Sequence, residues 1–382
     1  MRYRFLSTAF FFLFCFSHTL WAVPQDQTPG RHFNNDVDPY NTYQWNRLNR
    51  NNGKVDRGPW YEWWYYKLVD PKTNRSFFFC YGIVNPWDRE NKTGNARAFV
   101  NFGDSQQKLI LTSHVPVTEF QSSYDYPFTR VGSYIATDRM IAAAFEDQGH
   151  TVSWAFSIDK KRDWEAMGWG LRFPKLFNIY WHPAQMDARF SGVITINGKP
   201  YFIQNAEGYQ DKNWGHAFPK WWFWMAVNAF DHHPDSVFVA GGGDARTQHG
   251  LPLPTALLLS LYHDGKLYEF RSSEPQYRFD WKITMGRWQI TATNFNYHLK
   301  VTAEADPNQM MDLQFQTPDG KIFHDYETLH GAIRVELFER KPFTLNWEKI
   351  ADLSTQNKAG LELGLDHPYD PAVVITGIHA EK

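Results

Sequence analysis

Two segments of this chain set acidic side chains among indoles, where a carboxyl group is driven to keep its proton. Trp60 to Asp70 reads as a strand of aromatic residues in which, at a period of two, Trp60, Glu62, Trp64, Tyr66 and Leu68 share one face. Tyr61, Trp63, Tyr65 and Lys67 share the other face. Glu62 is thus flanked by two indoles, and lost hydration favours its acid form. Accepting a hydrogen bond from a Tyr or Arg is the plainer use of the same side chain. The second segment, Glu207 to Trp224, gathers acid, amide, imidazole and indole groups. If extended, it turns Glu207, Tyr209, Asp211 and Asn213 one way and Lys212, Trp214 and His216 the other. Asp211 then escapes direct pairing with Lys212 and is the first candidate for a proton donor, with Glu62 the second. The competing use of Asp211 is to cap backbone N–H groups at a domain junction, with Trp214 as a packed plug.

What must position these groups is a chain of 382 residues, 43% hydrophobic and 21% charged, enough for one large domain or two medium ones. Its formal net charge of -2 gives no single-sign field to attract nucleic acid or anionic lipid. Ligand recognition therefore rests on shape and apolar contact. The outlying quantity is an aromatic content of 18%, with 17 Trp, more than a core alone calls for.

Residues 1–22 read as a secretory signal: Arg2 and Arg4 precede an apolar run from Phe5 to Phe16, and Ala22 stands at the expected cut. The expectation is an exported protein, periplasmic or secreted, beginning near Val23. Cys80 is then the one mature cysteine, read as a packed small hydrophobe.

Residues 23–57 are polar and lack a sustained period, which predicts an N-terminal arm. Beyond them, β-branched and aromatic runs alternate with turn signals: Ser76 to Val84, Lys108 to Val115, Thr151 to Ile158, Phe190 to Ile196, Ala256 to Tyr262, Trp288 to Ala292, Tyr297 to Ala303 and Ile333 to Phe338. Asn197-Gly198, Asp264-Gly265 and Asp319-Gly320 suit tight hairpins. Arg162 to Leu171 is left as a short helix or an aromatic loop. The class is all-β. A faint echo relates Trp60 to Asp70, followed by Ser76 to Phe79, to Trp221 to Asp231, followed by Ser236 to Val239. Two antiparallel barrels, each opened by a Trp-rich strand, explain it, and barrels of this kind hold single ligands.

Tyr61-Glu62-Trp63-Trp64-Tyr65 with Ser76 to Pro86, the central run Asp211 to Pro219 with Trp222-Phe223-Trp224, and the late run Gly331 to Arg340 together resemble the tocopherol cyclase family. The likeness spans roughly residues 55 to 345, and the central run is its most specific part. The same Glu-Trp-Trp-Tyr and Asp-x-x-Trp-Gly elements are similar to those of carotenoid hydratases. The resemblance implies two lipocalin-like barrels in tandem, drawn here as residues 58–217 and 218–350 with a C-terminal tail at 351–382. It also implies protonation of an isoprenoid double bond to a tertiary cation, captured by a phenol oxygen in a cyclase and by water in a hydratase. A general acid for an alkene must be a carboxylic acid kept protonated by an apolar site, the role assigned to Asp211 or Glu62. Indole faces at Trp64, Trp214, Trp222 and Trp224 would stabilise the cation, and Tyr81, Asn213 and His216 complete the expected substrate-binding set.

No cofactor or metal is called for. His232-His233-x-Asp235 reads as a solvated turn, Gly241-Gly242-Gly243 opens no helix, and no Gly-x-Ser-x-Gly elbow is present. The expected partner is a hydrophobic prenylated aromatic or isoprenoid lipid, collected by transient contact with a membrane. A non-catalytic quinol or lipid carrier, an isoprenoid hydratase and a sugar-binding protein are the competing functions.

Overall fold

The computed structural model describes residues 59–122, 128–168, 177–247, 249–342, 344 and 346–378. The expected signal segment and arm lie outside the described residues.

The first half of the chain supplies β1 (Tyr61–Val69), β2 (Ser76–Val84), β3 (Arg97–Asp104), β4 (Leu109–Val115), β5 (Phe120–Ser122) and β6 (Phe128–Val131). It continues with β7 (Tyr134–Thr137), β8 (Met140–Asp147), β9 (His150–Arg162), β10 (Ile179–Ile196) and β11 (Lys199–Gly215). These form one antiparallel sheet in the order β4-β3-β2-β1-β11-β10-β9-β8-β7-β6-β5. It curls until β4 lies against β8, where the Thr112 N–H donates to Asp147 at 2.9 Å.

The second half supplies β12 (Trp221–Val227), β13 (Val237–Gly243), β14 (Ala256–His263), β15 (Lys266–Arg271), β16 (Arg278–Thr284) and β17 (Arg287–Thr293). It ends with β18 (Tyr297–Glu304), β19 (Met311–Gln316), β20 (Ile322–Arg340), β21 (Trp347–Leu365) and β22 (Ile375–Ile378). Their order is β15-β14-β13-β12-β21-β20-β18-β17-β16-β22, with β19 paired to β20. The run β4-β3-β2-β1-β11-β10-β9 thus has its counterpart in β15-β14-β13-β12-β21-β20-β18, and the echo between Trp-rich strands corresponds to β1 and β12 at matching places. The fold is all-β, two lipocalin-like, nearly closed barrels in tandem.

Alternation in each strand decides where the aromatic mass goes. In β1, Trp64, Tyr66 and Leu68 fill the first barrel with Phe77, Phe79, Trp154 and Phe190. In β12, Phe223, Met225 and Val227 fill the second with Trp288, Leu337 and Leu361. The opposite faces build the seam between barrels: Phe78, Trp181, Tyr209, Trp224 and Leu329 in one cluster, Tyr61, Trp63, Trp222 and Phe323 in another. Asn197-Gly198 and Asp264-Gly265 take the paired positive φ angles of two-residue hairpins, 49° and 78°, then 48° and 79°. At Asp319-Gly320 only the glycine does so, at 85°. Asp163 to Gly168 is irregular rather than helical, and the rest of that expected segment lies outside the described residues.

Of the tail expected at 351–382, residues 351–365 and 375–378 belong to strands of the second sheet. β21 runs to Leu365 and lies between β12 and β20, and β22 pairs with β16. Three charged residues within Trp347 to Leu353 mask β21, and although its partner β20 precedes it by a short connection, its other partner β12 lies more than a hundred residues earlier. Leu361, fully buried in the second core, is expected to cost about 2–5 kcal/mol when changed to Ala, measured by denaturant unfolding. A neutral substitution would contradict the packing of this strand.

Candidate active site

One cavity opens in the seam, with an empty volume of about 1100 Å³ including its mouth. Neither barrel interior supplies it, because both are filled by their own side chains. Trp63, Trp181, Trp222 and Trp224 line it, and so do the carboxyl groups of Asp211, Asp325, Glu327 and Glu362. Among the described residues no Lys, Arg or His belongs to the lining. Asp244 also lines it and is ion-paired to Arg246 at 2.7 Å.

Asp211 comes from the first barrel, in β11 opposite Tyr65 of β1. Its Oδ2 accepts from Trp181 Nε1 at 2.8 Å and from the Tyr209 hydroxyl at 2.9 Å. Trp224 Nε1 donates in turn to the Tyr209 oxygen at 3.2 Å. The other oxygen, Oδ1, is buried with no hydrogen-bond partner. Burial pushes this carboxyl up to about 7, against the two donated hydrogen bonds, and the nearby Glu362 pushes the same way. From an ordinary value of 3.8, that makes the ionised form dearer by roughly 4 kcal/mol. The geometry fits an acid anchored through one oxygen and free to carry its proton on the other.

Asp325 and Glu327 come from β20 and Glu362 from β21, and one carboxylate oxygen from each lies within 4.8 Å of the others. Trp222 Nε1 donates to Asp325 at 3.2 Å and also to Glu362. The Tyr65 hydroxyl reaches from the first barrel to donate to Glu327 at 2.6 Å. Burial raises all three, Asp325 well above its ordinary value and Glu327 to about 8; neighbouring carboxylates push Asp325 and Glu327 further up, while hydrogen bonds with Asp325 and Trp222 draw Glu362 back. Like charges this close cannot all ionise, so the cluster holds protons collectively.

Glycines make room for the indoles. A Cβ at Gly360 would come within 2.6 Å of the Trp224 ring and one at Gly364 within 2.5 Å of Trp222, so the two rings lie over β21 on either side of Glu362. Cys80 also lines the cavity, and burial pushes its thiol up, away from thiolate chemistry.

Of the residues expected from the sequence, Asp211, Asn213, Trp222 and Trp224 line this cavity. Glu62, Trp64, Tyr81, Trp214 and His216 do not. Glu62 is fully buried in an ion pair with Lys212 at 2.7 Å and accepts from Trp60 Nε1 at 3.1 Å. Lys212 also sits 5.3 Å from the Trp64 ring centre and 4.7 Å from that of Trp214, so those indoles face a resident ammonium. Tyr81 points into the first barrel, where its oxygen accepts from Trp154 Nε1 at 3.0 Å. His216 pairs its Nδ1 with the Pro59 carbonyl at 3.1 Å. The Asp325, Glu327 and Glu362 cluster, with Tyr65, Trp63 and Trp181, was not anticipated. Two signals for it exist: acids two apart in one strand at Asp325 and Glu327, and a single carboxylate inside Ala359-Gly360-Leu361-Glu362-Leu363-Gly364-Leu365.

Residues 127–365, more than half of the chain, match the family model described as tocopherol cyclase-like. The chain belongs to that family. It is 24% identical over 361 residues to a probable chloroplastic tocopherol cyclase of Oryza sativa subsp. japonica, covering 80% of this chain and 75% of that protein. To the chloroplastic tocopherol cyclase of Zea mays it is 24% identical over 358 residues, with the same coverage of 80% and 75%. Its fold is similar to that of CghA in complex with Sch210972, with a TM-score of 0.50, 11% identity, and coverage of 82% of this chain and 89% of that one.

In this tocopherol cyclase-like protein the raised Asp211 carboxyl has a stability consequence. The folded state binds a proton up to about pH 7 that the unfolded chain releases near its ordinary value of 3.8. That stabilisation is complete below about pH 4 and is lost as pH rises to about 7. Asp211→Asn is expected to flatten this dependence, so that melting temperature falls less between pH 5 and pH 8 than in the wild type. Equal falls in both proteins would contradict the assignment.

Proposed function

We propose that this protein closes a chromanol-type ring on a prenylated hydroquinone, by acid-catalysed addition of a phenol to an isoprenoid double bond. The observation that carries the reading is the Asp211 carboxyl, buried in an indole-lined cavity with one oxygen unpartnered. In the first step the Asp211 proton adds to the less substituted alkene carbon, leaving a tertiary cation and a carboxylate. The Trp181 and Tyr209 hydrogen bonds stabilise that carboxylate as it forms. The faces of Trp222 and Trp224 attract the cation, each by ~0.5–2 kcal/mol. In the second step the phenol oxygen bonds to the cationic carbon. The aromatic lining disfavours water and so favours this internal capture over hydration.

Buried acids in the cavity weigh against a simple carrier, which needs none. Trp222 and Trp224 are 9% and 5% exposed, against the flat, open indoles of a sugar binder. The basic and apolar pattern of residues 1–22 supports an exported enzyme that draws its substrate from a membrane.

The test is incubation with prenylhydroquinones, followed by mass spectrometry of the products. The wild type is expected to form the chromanol. Asp211→Asn should bind substrate near normally and lose turnover by at least about 10²–10⁴-fold. Trp222→Leu and Trp224→Leu should slow turnover more than they weaken binding. A tertiary alcohol as the wild-type product would move the reading to a hydratase, and binding without conversion to a carrier.

A further inference from the structure

We infer that Glu327, hydrogen-bonded to Tyr65 and backed by Asp325 and Glu362, is the group that takes the phenol proton as the carbon–oxygen bond forms. This rests on the cyclase reading of the cavity and assigns its second half.

The chemistry requires such a group. When a proton and an oxygen add to opposite faces of a double bond, the acid that delivers the proton lies across the substrate from the incoming phenol. Asp211 belongs to the wall contributed by the first barrel, and Glu327 to that contributed by the second. Burial holds Glu327 up at about 8, so it serves as the base in the fraction of molecules whose acid cluster carries one negative charge, and the surrounding groups favour that fraction. Tyr65 O–H donates to Glu327 at 2.6 Å, Trp222 N–H donates to both Asp325 and Glu362, and the charge of Lys67, buried on β1, favours the ionised form of Glu327. An anion so placed also balances the developing cation. Among the described residues, none of the three acids is engaged by an ion pair of the kind that occupies Glu62 with Lys212.

The balance closes without a co-reactant. The Asp211 proton becomes a C–H bond at the alkene carbon, and the alkene π pair leaves its neighbour cationic. A phenol oxygen lone pair then forms the C–O bond, the O–H pair stays on oxygen, and that proton passes to a Glu327 carboxylate oxygen. Asp211 ends as carboxylate and Glu327 as acid. When product leaves, Glu327 gives its proton up to solvent and Asp211 takes one from solvent, so the reaction is an isomerisation with no net proton uptake.

The two halves are separable in deuterium oxide. A cation that forms but is not captured reverts by losing a proton from an adjacent carbon, which leaves deuterium in recovered substrate. With a prenylated hydroquinone, Glu327→Gln is expected to cyclise at least about a hundredfold more slowly, and to raise the ratio of deuterium exchange to cyclisation at least tenfold over wild type. Tyr65→Phe should shift the ratio in the same direction by less, and it provides the measurement if Glu327→Gln does not fold. Asp211→Asn should show neither exchange nor cyclisation. An unchanged ratio in Glu327→Gln and Tyr65→Phe, beside a wild type that cyclises, would overturn this inference alone. A wild type that neither cyclises nor exchanges would overturn the cyclase reading and this inference with it.

Discussion

Keeping water away from carboxyl groups is the constraint on which the rest of the site depends. Besides Asp244, four acids line one cavity, and among the described residues the lining offers them no cation. Only partial hydrogen bonding and shared protons make that burial tolerable. The indoles serve three needs at once: they exclude water, they donate N–H groups to Asp211, Asp325 and Glu362, and they present π faces to the space between. The high aromatic content is therefore divided between this seam and the core of the first barrel.

The tandem architecture supplies the two halves of the cavity from equivalent elements used differently. In the first barrel Trp63 of β1 lies opposite Asn213, and Tyr61 donates to the Asn213 side chain at 3.2 Å. In the second, Trp224 of β12 lies opposite Glu362, to which Trp222 donates. The repeat thus places an amide in one wall where it places an acid in the other, while Asp211 adds an acid two residues before the amide. Side chains of each barrel's own strands fill its interior, and the cavity lies in the space between the two. The seam is built from side chains of strands that are already fixed by their own cores.

Strand alternation was legible because aromatic residues crowd β1 and a strand alternates at a period of two, so the faces of Trp60 to Lys67 in β1 and of Glu207 to His216 at β11 follow from counting. The same counting separated Asp211 from Lys212 correctly. It could not say which face turned toward the other barrel, and so Glu62 and Trp64, inside the first barrel, carried the same weight as Trp222. The ion pair of Glu62 is fixed by Lys212 lying in the neighbouring strand, a registry between β1 and β11 that no local pattern encodes. The acid cluster was hidden for a related reason: it needs the register that sets Glu327 opposite Glu362 and the pairing of Glu362 with Trp224, more than a hundred residues earlier, and each acid taken singly reads as an ordinary strand residue. The reading of 351–382 as a tail compounded this, because it removed Glu362 from consideration.

The account stands on Asp211 keeping its proton near neutrality, and infrared difference spectroscopy reads that directly. In wild type minus Asp211→Asn at pH 6, the account predicts the carbonyl stretch of a protonated carboxylic acid, shifted in deuterium oxide and replaced by carboxylate bands as pH rises through about 7. Carboxylate bands alone at pH 6 would show Asp211 already ionised and would contradict its role as the acid.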